Sequence, residues 1–197
     1  MDVYTTEEQQ VEAIKKWWRD NGKAVVIGAV VGLGALYGWR YFQSQQLANQ
    51  AQASQQYEQV LSNIESGDTV SLSELEGHEG YHALAALQLA QQHVEQGELD
   101  SAREQLKNAQ QAVKGDALYG LVTTRLARVE AELENYSAAL SELDTVTAES
   151  WTAKVAEIRG DVLLDQGDKQ AARDAYAASL AAAESPTVNM KLDNLGQ

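Results

Sequence analysis

Residues 97–106 have the sequence GELDSAREQL, and the same pattern occurs twice more further along the chain. Residues 134–143 (ENYSAALSEL) and 167–176 (GDKQAARDAY) align with it without gaps, at offsets of 37 and 33 residues. Recurrence at such a spacing is typical of repeat architectures, in which each copy is one small structural unit that stacks on its neighbours. The second half of the chain is therefore predicted to be a repeat domain.

The three copies share a spacing of small and large residues. Each has an alanine at its sixth position and a large residue at its tenth, and a further small residue lies twelve positions before that alanine. Small residues let two antiparallel helices cross closely, and large residues fill the space beside the crossing. Each copy is therefore predicted to be a helix–turn–helix unit. The positions are Ala90, Ala102 and Leu106 in the first copy, Ala127, Ala139 and Leu143 in the second, and Gly160, Ala172 and Tyr176 in the third.

This period and this core pattern resemble the tetratricopeptide repeat. The match is degenerate, because Lys169 replaces a large residue in the third copy and Glu134 replaces the turn glycine in the second. An earlier half-repeat is expected around Ala53 and Tyr57. Residues 185–195 (SPTVNMKLDNL) are expected to form a final cap that closes the stack.

The composition favours helix and excludes several classes of function. The chain has no cysteine and one proline, and it is rich in Ala, Gln, Glu and Leu, so an all-α fold is predicted. Residues 1–42 have no net charge, and the formal charge of −14 belongs to the rest of the chain. Because an acidic domain repels phosphate backbones, nucleic-acid binding is not expected.

An apolar run near the N-terminus predicts one transmembrane helix. Ala24 to Trp39 are 16 consecutive uncharged residues, and tryptophans 17, 18 and 39 lie at the two edges of the run. From Trp18 to Trp39 a helix is about 32 Å long, which matches the hydrocarbon core of a bilayer. A buried core helix and a signal peptide cleaved after Ala53 are the alternatives. Aromatic residues at both edges disfavour the first, and the polar stretch before Ala51 disfavours the second.

The basic residues predict the orientation of this span. Lys15, Lys16, Arg19 and Lys23 precede the apolar run, whereas Arg40 is the one basic residue between the run and Arg103. The positive-inside rule then places the N-terminus in the cytoplasm and the large domain in the periplasm of a Gram-negative cell. The expected organisation is a cytoplasmic tail (1–22), a transmembrane helix (23–42), a connecting polar helix and loop (43–80), and the repeat domain with its C-terminal cap (81–197).

Four glycines in the span form two small-x-x-x-small pairs, which allow a second membrane helix to approach closely. A lateral contact through these glycines is therefore one hypothesis, and the ordinary glycine content of membrane helices is the other. The four residues are Gly28, Gly32, Gly34 and Gly38.

One short motif suggests metal chemistry without supporting it. Residues 78–82 (HEGYH) match H-E-x-x-H, in which two histidines one helical turn apart bind zinc. Gly77 and Gly80 interrupt the helix that this chemistry needs, and the spacing to His93 does not supply a third ligand. The clustered carboxylates Glu130, Glu132, Glu134, Asp165 and Asp168 are expected to be solvated. We therefore expect no catalytic residues, no metal site and no cofactor.

Protein binding remains as the expected activity, because stacked helix pairs form a concave face that accepts extended chains. An apolar groove edged by charge suits an unfolded client chain or one defined partner. The alternative is that Leu84 and Leu87 pack against the preceding loop or helix. By register with the repeat, the inner face is predicted to include Leu84, Leu87, Gln91, Val94, Leu121, Thr124, Arg128, Lys154, Glu157 and Asp161.

The order of the segments, from the basic tail through the glycine-bearing span to the MKLDNL ending, resembles the YfgM family of ancillary translocon subunits. The resemblance implies a bacterial inner-membrane protein associated with the SecYEG translocon and with the periplasmic chaperone PpiD. It also implies a role in passing newly translocated proteins to periplasmic chaperones. A scaffold or stress-response regulator of another inner-membrane complex is the alternative, and a metallopeptidase ranks behind both.

Overall fold

The computed structural model describes residues 7–67 and 70–196. These residues form eight α-helices and two short 3-10 helices, with no β-strand in either range, which confirms the predicted all-α class. The chain divides into two compact units, Met1–Gln52 and Ala53–Gln197. The helices are α1 (Glu7–Ser66), α2 (Glu79–Glu95), α3 (Leu99–Ala112), α4 (Tyr119–Glu132), α5 (Tyr136–Asp144), α6 (Thr152–Asp165), α7 (Lys169–Ala182) and α8 (Pro186–Asn194).

Within the described ranges, α1 is the one helix that is long and apolar enough to cross a membrane. The part of α1 from Gln10 to Ser66 contains a window with a mean hydropathy of 1.5. Its large apolar side chains are exposed, with Val30 at 65% and Leu36 at 62%. A core helix of a soluble protein would bury such side chains, so this exposure fits a span surrounded by lipid.

The second unit is built from three antiparallel helix pairs, α2 with α3, α4 with α5, and α6 with α7. All nine small and large positions of the repeat pattern are buried, as the sequence predicted. Ala90 and Leu106 belong to one core cluster, and Ala127 and Leu143 belong to a second. The period of the sequence therefore corresponds to the period of the helix pairs.

The third pair uses a different combination of residues at its crossing. Gly160 in α6 faces the ring of Tyr176 in α7, and a Cβ atom placed on Gly160 would lie 2.4 Å from the Tyr176 ring. The Tyr176 hydroxyl then donates a hydrogen bond to Asp161, at 2.8 Å. Glycine is required here because the tyrosine ring occupies the space that a methyl group would fill.

The C-terminal part of α1 contributes to the core of the second unit. Val60 and Ile64 form a buried cluster with Leu75 of the first 3-10 helix and Ala85 of α2. The Gln92 side-chain amide donates to the Ile64 carbonyl at 2.9 Å. This segment therefore packs on α2 in the way that a preceding half-repeat would.

Helix α8 closes the other end of the stack. The Ser185 hydroxyl caps its N-terminus by accepting a hydrogen bond from the Val188 amide, and Pro186 occupies the first turn, where its missing N–H costs nothing. Val188 is 1% exposed and packs with Ala172 and Tyr176. Helix α8 therefore covers apolar surface at the end of the third pair.

The turns within the three pairs share a left-handed residue at the same position of the repeat. Gly97 and Gly167 have φ angles of 78° and 93°, and Glu134, at the equivalent position, has a φ of 62°. A side chain at such a φ costs about 1–2 kcal/mol, whereas glycine adopts it freely. The second turn is thus strained at the position where the sequence departs from glycine.

We expect Glu134→Gly to stabilise the folded chain by about 0.5–1 kcal/mol, because relief of this strain exceeds the added entropy of the unfolded chain. Urea unfolding followed by circular dichroism measures the change. The matched control is Glu132→Gly at the end of α4, which has a helical φ and is expected to lose about 1 kcal/mol. Equal losses for both variants would contradict the assignment of strain to Glu134.

Candidate functional site

The structure places the ten predicted inner-face residues on the first helix of each pair. Four lie on α2, three on α4 and three on α6, so the register taken from the repeat puts them on successive stacked helices. Their surroundings differ along the stack. An open apolar pocket lies between α2, α3 and α4, whereas the third pair forms ion pairs with α8.

The pocket between α2, α3 and α4 has a volume of about 210 Å³. Its floor is apolar and buried, with Ala90, Leu106 and Val129 at 3%, 2% and 6% exposure. Its rim has four exposed polar side chains together with three apolar ones, Leu87, Leu99 and Val94, of which Val94 is 41% exposed. The lining residues are Leu87, Ala90, Gln91, Val94, Leu99, Leu106, Arg125, Arg128, Val129 and Glu132.

Four of the predicted inner-face residues line this pocket, namely Leu87, Gln91, Val94 and Arg128. Leu84, Leu121 and Thr124 do not line it. Thr124 is 4% exposed and its hydroxyl donates to the Leu121 carbonyl at 3.0 Å, so that side chain is satisfied within α4.

The two carboxylates predicted on α6, Glu157 and Asp161, bind the C-terminal helix. Lys191 of α8 contacts Glu157 at 2.9 Å and Asp161 at 2.7 Å, and Lys154 contacts Glu157 at 2.7 Å. Burial alone would raise the pKa of Glu157, but the two lysines outweigh it and hold that pKa below its ordinary value. The carboxylates of Glu157 and Asp161 are therefore occupied by α8.

A buried ion pair on α4 was not expected from the sequence. Glu130 is 2% exposed, whereas we predicted it to be solvated together with its neighbours. Its carboxylate binds the Lys107 ammonium at 2.8 Å and accepts a hydrogen bond from the Asn135 amide at 2.9 Å. Burial would raise the pKa of Glu130, but these partners hold it below its ordinary value. The prediction was wrong because the partner lies on α3, outside any local pattern.

The other clustered carboxylates are exposed as predicted. Glu132, Glu134 and Asp165 face solvent, and Asp168 is exposed while its side chain caps α7 by accepting from the Ala171 amide at 3.0 Å.

The H-E-x-x-H segment begins helix α2. His78 is the residue that precedes the first turn, and Glu79 and His82 lie within the helix. His82 Nδ1 is buried without a hydrogen-bond partner. In the part of the chain that the structure describes, no group of three or more histidine, aspartate or glutamate side chains is placed to hold a metal ion.

The four glycines of the predicted membrane contact, Gly28, Gly32, Gly34 and Gly38, lie in α1. Beyond the chain neighbours and the backbone of the same helix turns, a Cβ atom on any of them would meet no described atom within 4 Å. The two glycine pairs lie on different sides of α1, and both sides are uncovered within the described residues.

The stacked helix pairs and the open inner-face pocket define a helical-repeat protein of the tetratricopeptide type, and the tetratricopeptide repeat-like domain family matches residues 15–197. The chain is 39% identical over 99% of both chains to the "Ancillary SecYEG translocon subunit" of Escherichia coli (strain K12). Proteins of the same name from Haemophilus influenzae and Aggregatibacter actinomycetemcomitans are 30% and 32% identical, covering 96% and 98% of this chain and 97% and 100% of theirs. The chain belongs to this family of ancillary SecYEG translocon subunits.

Among solved structures, the N-terminal domain of stress-induced protein-1 (STI-1) from C. elegans is similar with a TM-score of 0.47 and 18% identity. The similarity covers 58% of this chain and 94% of that one.

Proposed function

We propose that this protein is a membrane-anchored interaction module that associates with the SecYEG translocon and helps pass translocated proteins to periplasmic chaperones. The observation that carries the proposal is the full-length similarity to proteins named as translocon subunits, in a chain whose repeat unit has an open apolar pocket. One such pocket suits protein binding because apolar floors and polar rims are typical of interaction surfaces.

The proposed topology is a single pass through the inner membrane. Residues 1–22 lie in the cytoplasm, 23–42 cross the bilayer, 43–80 connect the span to the repeats, and 81–197 form the periplasmic repeat domain. The basic residues before the span support this orientation. One of the two glycine pairs of α1 would contact a membrane helix of the partner complex. The periplasmic chaperone PpiD is the proposed partner of the repeat domain.

Affinity purification of the full-length protein from membranes in mild detergent, followed by mass spectrometry, tests the proposal. Translocon subunits and a periplasmic chaperone are the expected partners. Recovery of another membrane complex without either of them would contradict the export function and leave the fold unaffected.

We expect Val94→Glu to lower recovery of the periplasmic partner by about tenfold, because the new carboxylate closes the apolar pocket to an incoming side chain. Val94 is 41% exposed, so the substitution removes little core packing. The matched control is Met190→Glu on α8, where the side chain is 66% exposed and lies outside the pocket. Quantitative mass spectrometry of both variants gives the comparison. Unchanged recovery with Val94→Glu would exclude the pocket as the partner site.

A further inference from the structure

The inner-face pocket has a local charge opposite to that of the whole chain. The formal net charge is −14, yet two arginines of α4, Arg125 and Arg128, line the pocket. Within residues 7–67 and 70–196, neither guanidinium forms a hydrogen bond or an ion pair with a protein group. The pocket thus presents two available cations in an otherwise acidic chain.

Five other basic side chains of the repeat unit are paired with carboxylates, whereas Lys114 and Lys169 are exposed at the surface. Lys107 binds Glu130, Arg159 binds Asp144, and Lys191 binds Glu157 and Asp161. Acidic groups are abundant, so the free state of Arg125 and Arg128 does not come from a shortage of anions. Glu132 lies one turn from Arg128 and lines the same pocket without binding it.

The two arginines lie on one side of α4, because residues three apart on a helix are neighbours. They stand beside a floor of buried aliphatic residues, among them Leu106 and Val129. A group that entered this floor would place its flanking backbone and side chains next to both guanidiniums. Guanidinium groups bind carboxylates through two parallel hydrogen bonds, which gives both strength and direction.

The size of the pocket limits what enters it. Its volume of about 210 Å³ is below the range of about 300–1,000 Å³ that is usual for small-molecule sites. A cavity of about 150 Å³ accommodates a benzene ring, so there is room for one large apolar side chain. The floor offers no hydrogen-bonding side chain that would suit a polar group there.

We propose that this pocket binds an extended internal segment of a partner protein in which one large aliphatic residue is flanked by aspartate or glutamate. The aliphatic side chain enters the floor between α2, α3 and α4, and the flanking carboxylates bind Arg125 and Arg128. This assignment rests on the proposed function, because it takes the inner face to be the partner-binding surface. It adds the chemical class of the segment that the surface selects.

Peptide binding to the full-length chain in detergent micelles tests this selection. The probes are short fluorescent peptides with blocked ends, one with a central leucine between glutamates, one with lysines in place of the glutamates, and one with alanine in place of the leucine. Anisotropy titration is expected to give at least about tenfold tighter binding of the acidic leucine peptide than of the other two. The −14 charge of the chain alone would favour the lysine peptide, so the two explanations predict opposite orders.

Charge-reversal variants test whether Arg125 and Arg128 bind the carboxylates of the peptide. Arg125→Glu with Arg128→Glu is expected to weaken binding of the acidic peptide at least about tenfold, and Arg125→Gln with Arg128→Gln is the variant that adds no charge. The matched control is Lys114→Glu with Lys169→Glu, which makes the same charge change at two exposed lysines outside the pocket. Equal melting temperatures of the variants confirm that the fold is retained.

Several outcomes would overturn the proposal. These are preference for the lysine peptide, no binding of the acidic peptide by the native chain, binding only when the peptide has a free C-terminal carboxylate, or unchanged binding in both arginine variants. Occupation of the pocket by a second copy, seen as dimerisation that the charge reversal abolishes, would overturn it as well. Because translocon recovery is measured separately, each of these outcomes leaves the export function standing, and loss of translocon recovery with intact peptide selection removes that function alone.

Discussion

Gly160→Ala is expected to destabilise the repeat unit by about 1–2 kcal/mol, although alanine is the better helix former. The new methyl group would lie 2.4 Å from the Tyr176 ring, which is itself 1% exposed and held by its hydrogen bond to Asp161. Overpacking of a close-packed core costs about 1–3 kcal/mol, and the gain of about 1 kcal/mol in helix propensity offsets only part of it. Urea unfolding followed by circular dichroism measures the difference.

The other two repeats supply the compensating substitution. They pair alanine with leucine at the positions where the third repeat pairs Gly160 with Tyr176. The double variant Gly160→Ala with Tyr176→Leu recreates that combination and should recover at least about half of the loss, which is a non-additive effect of residues in contact. Gly80→Ala in α2, where a Cβ meets nothing within 4 Å, is the control and should be neutral or stabilising. Strict additivity in the double variant would contradict direct contact as the cause.

This pairing also shows why the fold was predictable from the sequence. The small and large positions repeat because each helix pair crosses in the same way. The same set of packing contacts therefore produces the same residue pattern three times in the sequence. Even the departures are informative. Gly160 with Tyr176 has about the same combined volume as the alanine and leucine of the other two pairs. Glu134 adopts the left-handed φ of 62° that its position requires. A fold determined by a local, repeated pattern is accessible without a structure.

The repeat pattern does not predict which charged side chains on the surface form ion pairs. The register placed Arg128, Glu157 and Asp161 on the inner face, but it did not indicate that Lys191 of α8 binds the two carboxylates while the arginine stays unpaired. These pairs join residues about 30 positions apart, 34 and 30 in the two hydrogen bonds from Lys191. Such contacts depend on how helices pack in space, and a single sequence has no periodic signal for them. Arg125 was not among the predicted inner-face residues, although it lies three residues from Arg128 and lines the same pocket.

Lys107→Met is expected to destabilise the folded chain by about 2–3 kcal/mol at neutral pH. The Glu130 side chain is 3% exposed. Without the Lys107 ammonium, its carboxylate is left with one side-chain hydrogen bond, from the Asn135 amide. Removal of one member of a fully buried ion pair costs about 3–5 kcal/mol, and the expected loss is smaller because Lys107 itself is 46% exposed. Unfolding by urea at pH 7 gives the value.

The pH dependence of the free energy of unfolding distinguishes an unpaired Glu130 carboxylate from lost packing of the Lys107 side chain. In the native chain the pKa of Glu130 is held below its ordinary value of 4.5, so its contribution to stability is present above that pH and is lost as the pH falls through the lowered pKa. In Lys107→Met, burial without the ammonium raises the pKa, and uptake of a proton relieves the unpaired charge. The gap in stability between the native chain and the variant should therefore narrow below about pH 5.

Arg159→Met is the matched control for this experiment, because Arg159 pairs with Asp144, whose side chain is 69% exposed. Loss of such a surface pair should cost less than about 1 kcal/mol and should show no narrowing of comparable size. Narrowing confined to Lys107→Met means that the acidic side chain on α4 is ionised and depends on α3, so that the first two helix pairs are joined by charge as well as by their apolar core. A gap that stayed constant from pH 7 to pH 4 would instead assign the whole effect of Lys107 to the packing of its aliphatic stem.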